Sequence, residues 1–145
     1  MCLFRKKDLG KIYTTTDGYF ADNKGIKKKR HVVVVDQRKD GAIAVSKLHA
    51  KKPGRKKTEH MHKVELKAKR HSALSKDSYI ERQVIHGVKR SGKHKPIYAR
   101  DFPKTKSRVS LFDFIRIRLG AGGSTKRSKS FYKNTRRRWH NNFKK

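Results

Sequence analysis

The chain contains one run of four identical large apolar residues, the valines of HVVVVD at residues 31–36. Side chains branched at Cβ favour extended backbone, so this run predicts a buried strand. Residues 37–41 (QRKDG) end in an Asp-Gly turn signal, and the apolar residues 42–48 (AIAVSKL) follow directly. The pattern therefore predicts a β-hairpin at the centre of the fold.

Shorter apolar segments surround this hairpin. Residues 10–20 (GKIYTTTDGYF) are rich in β-forming residues, and Asp17-Gly18 within them is typical of a hairpin turn. Further short strands are predicted at residues 60–67, 78–85 and 95–99. Together these segments predict a mainly β domain.

The pattern changes after residue 110. Ser110, followed three positions later by Asp113, resembles a capping box at the start of a helix. Apolar residues then recur on one helical face, at Leu111, Phe112, Ile115 and Leu119. Gly120 can end this helix, although the alternation at residues 115–118 (IRIR) also fits a strand.

Composition divides the chain into a domain and a tail. Lys and Arg number 42 against 11 Asp and Glu, which gives a formal net charge of +31. Such a charge with few large apolar residues predicts one small core. Residues 121–145 hold nine Lys or Arg and no acid. We therefore expect a domain at residues 1–120 and a basic aromatic tail at 121–145 that is partly disordered.

Several classes of protein are disfavoured. No apolar run is long enough to cross a membrane, and the first 20 residues lack a secretory signal pattern. Cys2 is the only cysteine, so neither an intrachain disulfide nor a thiolate zinc site is expected. His60 and His62 share one face of a predicted strand, while Glu65 lies on the other. We expect a cytoplasmic protein without a metal or another cofactor.

The excess of positive charge indicates a polyanionic partner. Nucleic acid fits best, because its phosphates match a diffuse basic surface. RNA is favoured over duplex DNA, since aromatic residues lie within basic runs and no recognition helix is evident. The candidate nucleic-acid-binding residues are Lys27, Lys28, Lys29 and Arg30, then Lys51, Lys52, Arg55, Lys56 and Lys57, and in the tail Lys126, Arg127, Arg136, Arg137, Arg138 and Trp139.

Three short segments occur in an order seen in a known family. They are Gly10-Lys11-Ile12, Arg30-His31-Val32-Val33-Val34 and Ser78-Tyr79-Ile80. This order resembles the MazF/PemK-like family of toxin–antitoxin systems, many of whose members carry Gly-Asp-Ile, Arg-Pro-Val-Val-Val and Ser-Tyr-Val. The resemblance implies a small SH3-like β-barrel with a C-terminal helix.

The resemblance also implies a candidate catalytic pair. Active members of the family cleave RNA with an Arg before the Val-rich strand and a Ser or Thr at the end of the next strand. These positions correspond to Arg30 and His49, or to Ser46 if the register shifts. His31 stands where the family has Pro. Because both informative positions depart from the family's pattern, the residues favour binding over catalysis.

Three functions remain open at this point. The first is a protein that binds RNA or a ribonucleoprotein and inhibits or remodels an RNA-guided complex, as an anti-CRISPR protein does. The second is an endoribonuclease toxin that uses Arg30 and His49 without metal. The third is a ribosome-associated structural protein. No membrane partner is expected.

Overall fold

The computed structural model describes residues 7–50, 61–66, 77–81, 83–102, 107–110 and 113–115. The chain is mainly β. Its strands are β1 (Lys11–Thr16), β2 (Lys29–Gln37), β3 (Ala42–Ala50), β4 (Met61–Leu66), β5 (Ser78–Glu81), β6 (Val88–Arg90), β7 (Lys93–Lys95), β8 (Ile97–Tyr98) and β9 (Ser107–Arg108). A helix, α1 (Asp17–Ala21), and a 3-10 helix (Ala99–Asp101) accompany them. Within these ranges, no helix combines the length and apolar character that crossing a bilayer requires.

Seven strands form one curled sheet that closes into a half-barrel. Its order is β4-β5-β3-β2-β1-β9, and β8 also pairs with β3. The long strand β3 is central, since it pairs with β2 along one edge and with β5 and β8 along the other. Strands β6 and β7 form a separate two-stranded ribbon.

The predicted central hairpin is confirmed, and its valines form the middle of the core. Val32, Val33, Val34 and Val35 are each 0% exposed. Val33 lies opposite Ile12 and Val32 opposite Tyr13, so neighbouring valines point to opposite faces of the sheet. Both partners are buried as well. The curled sheet is therefore covered on both faces here, which explains an uninterrupted apolar run instead of alternation.

The predicted hairpin turn at Asp17-Gly18 is wrong, because α1 begins at Asp17. The helix ends at Ala21. The next residue, Asp22, adopts a left-handed conformation with φ 54°, and the N–H of Asn23 donates to the carbonyl of Gly18 at 2.9 Å. Strands β1 and β2 still pair as antiparallel neighbours. A short helix and a loop, instead of a tight turn, therefore connect them.

The later strands differ in extent from the prediction. The strand expected at residues 78–85 ends at Glu81, and Ile85 forms an isolated bridge with Val45. The strand expected at residues 95–99 is reduced to β8. The ribbon of β6 and β7 was not predicted, because three-residue strands rich in lysine carry no apolar alternation.

The described part of the C-terminal segment contains three helical residues. The hydroxyl of Ser110 accepts a hydrogen bond from the N–H of Asp113 at 3.1 Å, and residues 113–115 are helical. Phe114 is 1% exposed, whereas Ile115 is 37% exposed. Placing Ile115 on the buried face was therefore wrong, because the turn that starts at Ser110 directs Phe114 into the core. Residues 116–120 and the tail at 121–145 lie outside the described residues.

Candidate functional site

Arg30 and His49 face each other across the central hairpin. The register of β2 and β3 pairs His31 with Leu48, so the residues one step further along each strand are also opposite. Nη1 of Arg30 lies 3.3 Å from Nδ1 of His49, and it also donates to the carbonyl oxygen of Leu48 at 3.3 Å. The prediction that these two side chains lie at the same end of the hairpin is confirmed.

The first residue of α1 fixes the guanidinium of Arg30. Asp17 accepts two hydrogen bonds from it, from Nε to Oδ1 at 2.9 Å and from Nη2 to Oδ2 at 3.0 Å. Nζ of Lys47 lies 3.7 Å from the same Oδ1. The hydrogen bonds from Arg30 hold the pKa of the Asp17 carboxyl below its ordinary value. Arg30 is therefore an oriented cation.

Glu81 completes the arrangement on the other side of His49. Its Oε2 lies 3.0 Å from Nε2 of the imidazole. Because a guanidinium can only donate, Nδ1 of His49 accepts from Arg30, and Nε2 carries the proton that is donated to Glu81. Asp17, Arg30, His49 and Glu81, called the polar row below, thus form one chain of hydrogen bonds. Their side chains are between 13% and 21% exposed.

The polar row contains the groups that acid–base chemistry on a phosphodiester needs. A fixed guanidinium can neutralise phosphate charge, and an imidazole beside a carboxylate can transfer protons. Both ring nitrogens of His49 are already hydrogen-bonded. A substrate hydroxyl would therefore have to displace Arg30 or Glu81 before His49 could accept its proton.

Sequence reasoning missed Asp17 and Glu81 as members of this site. Asp17 was interpreted as part of a turn, although it starts α1. Glu81 is the last residue of β5, which pairs with β3 so that His49 lies opposite Tyr79. Pairing the Ser-Tyr-Ile segment with the end of β3 would have placed Glu81 near His49, since residues two apart on a strand share a face.

Ser46 does not belong to the polar row. It lies three positions before His49 on β3, so its side chain points to the opposite face of the sheet. It is 0% exposed, and within the part of the chain that the structure describes its hydroxyl has no hydrogen-bond partner. The alternative correspondence of Ser46 with the family's catalytic hydroxyl is therefore wrong.

Three of the predicted lysines lie directly beside the polar row. Lys27, Lys28 and Lys29, called the lysine loop below, are all exposed. The carbonyl oxygen of Lys28 accepts a hydrogen bond from the N–H of Asp17 at 2.9 Å, which ties the loop to the start of α1. The remaining predicted binding residues lie outside the described residues: Lys51, Lys52, Arg55, Lys56, Lys57, Lys126, Arg127, Arg136, Arg137, Arg138 and Trp139.

We expect Arg30→Ala to lower the free energy of unfolding by about 1–2 kcal/mol at pH 7, because hydrogen bonds to a partly exposed charged pair are lost. Because the folded-state pKa of Asp17 is depressed, the Asp17–Arg30 pair contributes its full stability at pH values above 3.8, the ordinary pKa of the carboxyl. This stability is lost as the pH falls through the lower pKa of the folded state. Urea unfolding of the wild type and of Arg30→Ala at several pH values measures this effect. If the difference in their free energies of unfolding stays constant from pH 7 to pH 3, the stabilising pair of Asp17 and Arg30 is contradicted.

No metal site is evident in the described ranges. They contain no group of three or more His, Cys, Asp or Glu side chains that could hold an ion. His60, from the predicted histidine pair, lies outside them, and His62 lies on β4.

No protein-family model matches the chain, and neither a curated protein nor a solved structure matches it.

Proposed function

We propose that the protein binds RNA, or RNA within a ribonucleoprotein, through phosphate contacts at the lysine loop. The observation that supports this most strongly is the exposed run Lys27, Lys28 and Lys29, held by α1 beside the oriented guanidinium of Arg30. No acidic residue occurs between Asn23 and Arg30, and the net charge is +31. An ordinary solvated segment mixes charges of both signs, whereas the charged residues of the segment 23–30 are all cations.

The preference for RNA over duplex DNA rests on the tail. Aromatic side chains stack on unpaired bases while neighbouring arginines hold phosphates, and Arg136, Arg137, Arg138 and Trp139 combine both features. We also propose that the half-barrel belongs to a small SH3-like barrel with a C-terminal helix. Inhibition of an RNA-guided nuclease and association with ribosomes are two roles that such a protein would suit.

A fluorescence anisotropy titration tests this proposal. Labelled 20-nucleotide oligouridine and oligothymidine are titrated with the purified protein at 50 mM salt, and a gel records whether each strand stays intact. We expect an apparent Kd for the RNA of about 1 µM or lower, because non-specific binding of about 1–100 µM at physiological salt becomes tighter at 50 mM salt. The RNA should bind at least as tightly as the DNA. Absence of RNA binding at about 100 µM protein would overturn the proposal, since that concentration reaches the weak end of such affinities.

A second candidate function is metal-independent cleavage of RNA. The specific observation in its favour is the hydrogen-bonded order Arg30, His49, Glu81, which places a cation, an imidazole and a carboxylate side by side. In such a site His49 would take the proton of the 2′-hydroxyl, whose oxygen attacks the phosphorus, while Arg30 stabilises the charge of the phosphorane. The P–O5′ bond then breaks, the proton passes to the leaving 5′-oxygen, and a 2′,3′-cyclic phosphate is formed.

The same titration samples distinguish the two candidates. If the polar row is catalytic, RNA should be cut in the presence of a chelator, and His49→Ala should lower the rate about 100-fold with RNA affinity nearly unchanged. If the protein only binds, the RNA stays intact and His49→Ala is silent in both assays. We expect the second result, because both ring nitrogens of His49 are engaged within the protein.

A further inference from the structure

The ribbon of β6 and β7 is a small, well-defined hairpin. Arg90 pairs with Lys93 and Lys89 with His94, and the two residues between the strands are Ser91 and Gly92. Both have positive φ, 52° and 77°, which is the conformation of a type I′ turn. The twist of a type I′ turn matches the right-handed twist of the flanking strands, so this turn connects β6 and β7 tightly and fixes the shape of the ribbon.

Arg90 anchors this hairpin to α1. Its guanidinium donates to the carbonyl oxygen of Tyr19 and, at 3.1 Å, to that of Lys89. It also lies 3.4 Å from Oδ1 of Asp22 and 5.2 Å from the centre of the Tyr19 ring. Arg90 therefore holds the hairpin in place and is not available as a phosphate ligand.

The hairpin also carries three lysines besides Arg90. Lys89, Lys93 and Lys95 are all exposed, and none of them forms a salt bridge with another described residue. The hairpin carries no Phe, Tyr or Trp with which a base could stack. Apart from His94, its exposed charged side chains therefore suit contact with phosphate groups.

Helix α1 joins this hairpin to the lysine loop. At the start of the helix, the N–H of Asp17 binds the carbonyl oxygen of Lys28. At its end, Tyr19 and Asp22 bind Arg90. A helix of five residues is only about 7.5 Å long at 1.5 Å per residue. The two groups of exposed lysines are therefore held at opposite ends of one short, rigid element.

We propose that the hairpin of β6 and β7 is a second phosphate-binding arm, and that a bound RNA strand crosses α1 from the lysine loop to Lys93 and Lys95. This inference rests on the proposed function and adds where the strand runs. Because α1 fixes both basic elements before binding, the affinity gains from preorganisation as well as from charge.

Two variants test the arm. Lys93→Gln/Lys95→Gln removes two exposed charges from the hairpin, and Lys7→Gln/Lys39→Gln removes two exposed charges at the far end of β2 as a control of equal net charge. Arg90→Lys keeps the charge but loses the forked contacts with α1. Each protein is titrated against labelled 20-nucleotide oligouridine at 100 mM salt, and circular dichroism verifies that each is folded.

We expect Lys93→Gln/Lys95→Gln to weaken binding about tenfold and to reduce the slope of log K against log[salt] by about 1.4, since each lost phosphate contact on a single strand removes about 0.7. Arg90→Lys should weaken binding at least about threefold at unchanged net charge, because the arm loses its orientation. If Lys93→Gln/Lys95→Gln matches the control while Lys27→Gln/Lys28→Gln weakens binding, the arm is refuted and the proposed function stands. If the wild-type protein does not bind RNA, the proposed function itself fails.

Discussion

Raising the salt concentration from 50 to 200 mM should weaken binding of the protein to single-stranded RNA by about a thousandfold. A strand that contacts on the order of 6 to 10 phosphates releases a counterion at each contact, and this release becomes less favourable as bulk salt rises. The lysine loop, the basic residues at 51–57 and the tail together offer enough cations for that number. The expected effect is larger than that of any single substitution considered above.

Anisotropy titrations at four or five salt concentrations between these limits give the slope directly. Circular dichroism at both limits serves as the control, since the fold should not respond to salt in this range. A slope near zero, with an affinity that changes less than about threefold, would mean that phosphate contacts do not dominate binding.

The largest effect on stability is expected for Gly18→Ala. Gly18 is buried in α1, and a Cβ added there would lie 2.1 Å from the carbonyl oxygen of Asn23 and 2.6 Å from that of Ile26. Both contacts are with backbone, which cannot rotate away as a side chain can. Helix propensity alone would favour alanine by about 1 kcal/mol, but the clash outweighs it. We therefore expect the free energy of unfolding to fall by about 2–3 kcal/mol.

Gly25→Ala, in the loop that follows α1, is the matched control. A Cβ at Gly25 would meet the side-chain oxygen of Asn23 at 3.2 Å, and this amide can move. Its cost should stay below about 1 kcal/mol. Urea unfolding followed by circular dichroism compares both variants with the wild type. A Gly18→Ala protein as stable as the wild type would show that the backbone of residues 23–26 does not pack against α1 as described.

The central hairpin could be predicted because its signal is local. Four valines in a row suit only a strand that is covered on both faces, and the Asp40-Gly41 turn then brings β3 back beside β2. That Arg30 and His49 lie at the same end of the hairpin follows from this pairing and was accessible from the residues alone. Their direct opposition also depends on a β-bulge between Val34 and Asp36, which shifts the register by one residue.

The remainder of the site depends on contacts between distant parts of the chain. Glu81 reaches His49 only because β5 pairs with the end of β3, 32 residues apart in sequence. Asp17 starts a helix where its dipeptide favours a turn, because Tyr19 packs edge-on against Phe102 and Gly18 admits the backbone of the following loop. Local propensity is a weak guide where tertiary packing of this kind decides the conformation.

The basic hairpin of β6 and β7 escaped prediction for a different reason. Each strand has only three residues, and Lys93, His94 and Lys95 show no alternation of apolar and polar positions. The Ser-Gly dipeptide at residues 91–92 was the available signal, since it is a common turn pair. This turn pair lies between the basic residues 89–90 and 93–95, and a two-stranded ribbon could have been predicted from that position.

We expect RNA to bind at the lysine loop itself, and not only through the overall positive charge of the protein. The most direct measurement compares the Kd of Lys27→Gln/Lys28→Gln with that of Lys7→Gln/Lys39→Gln for 20-nucleotide oligouridine at 100 mM salt. The control lysines lie at the other end of the nine-residue strand β2, about 25 Å away and beyond the ~10 Å screening length at this salt. We expect the loop variant to bind about tenfold more weakly than the wild type and the control to stay within about twofold. Equal losses in the two variants would contradict the account.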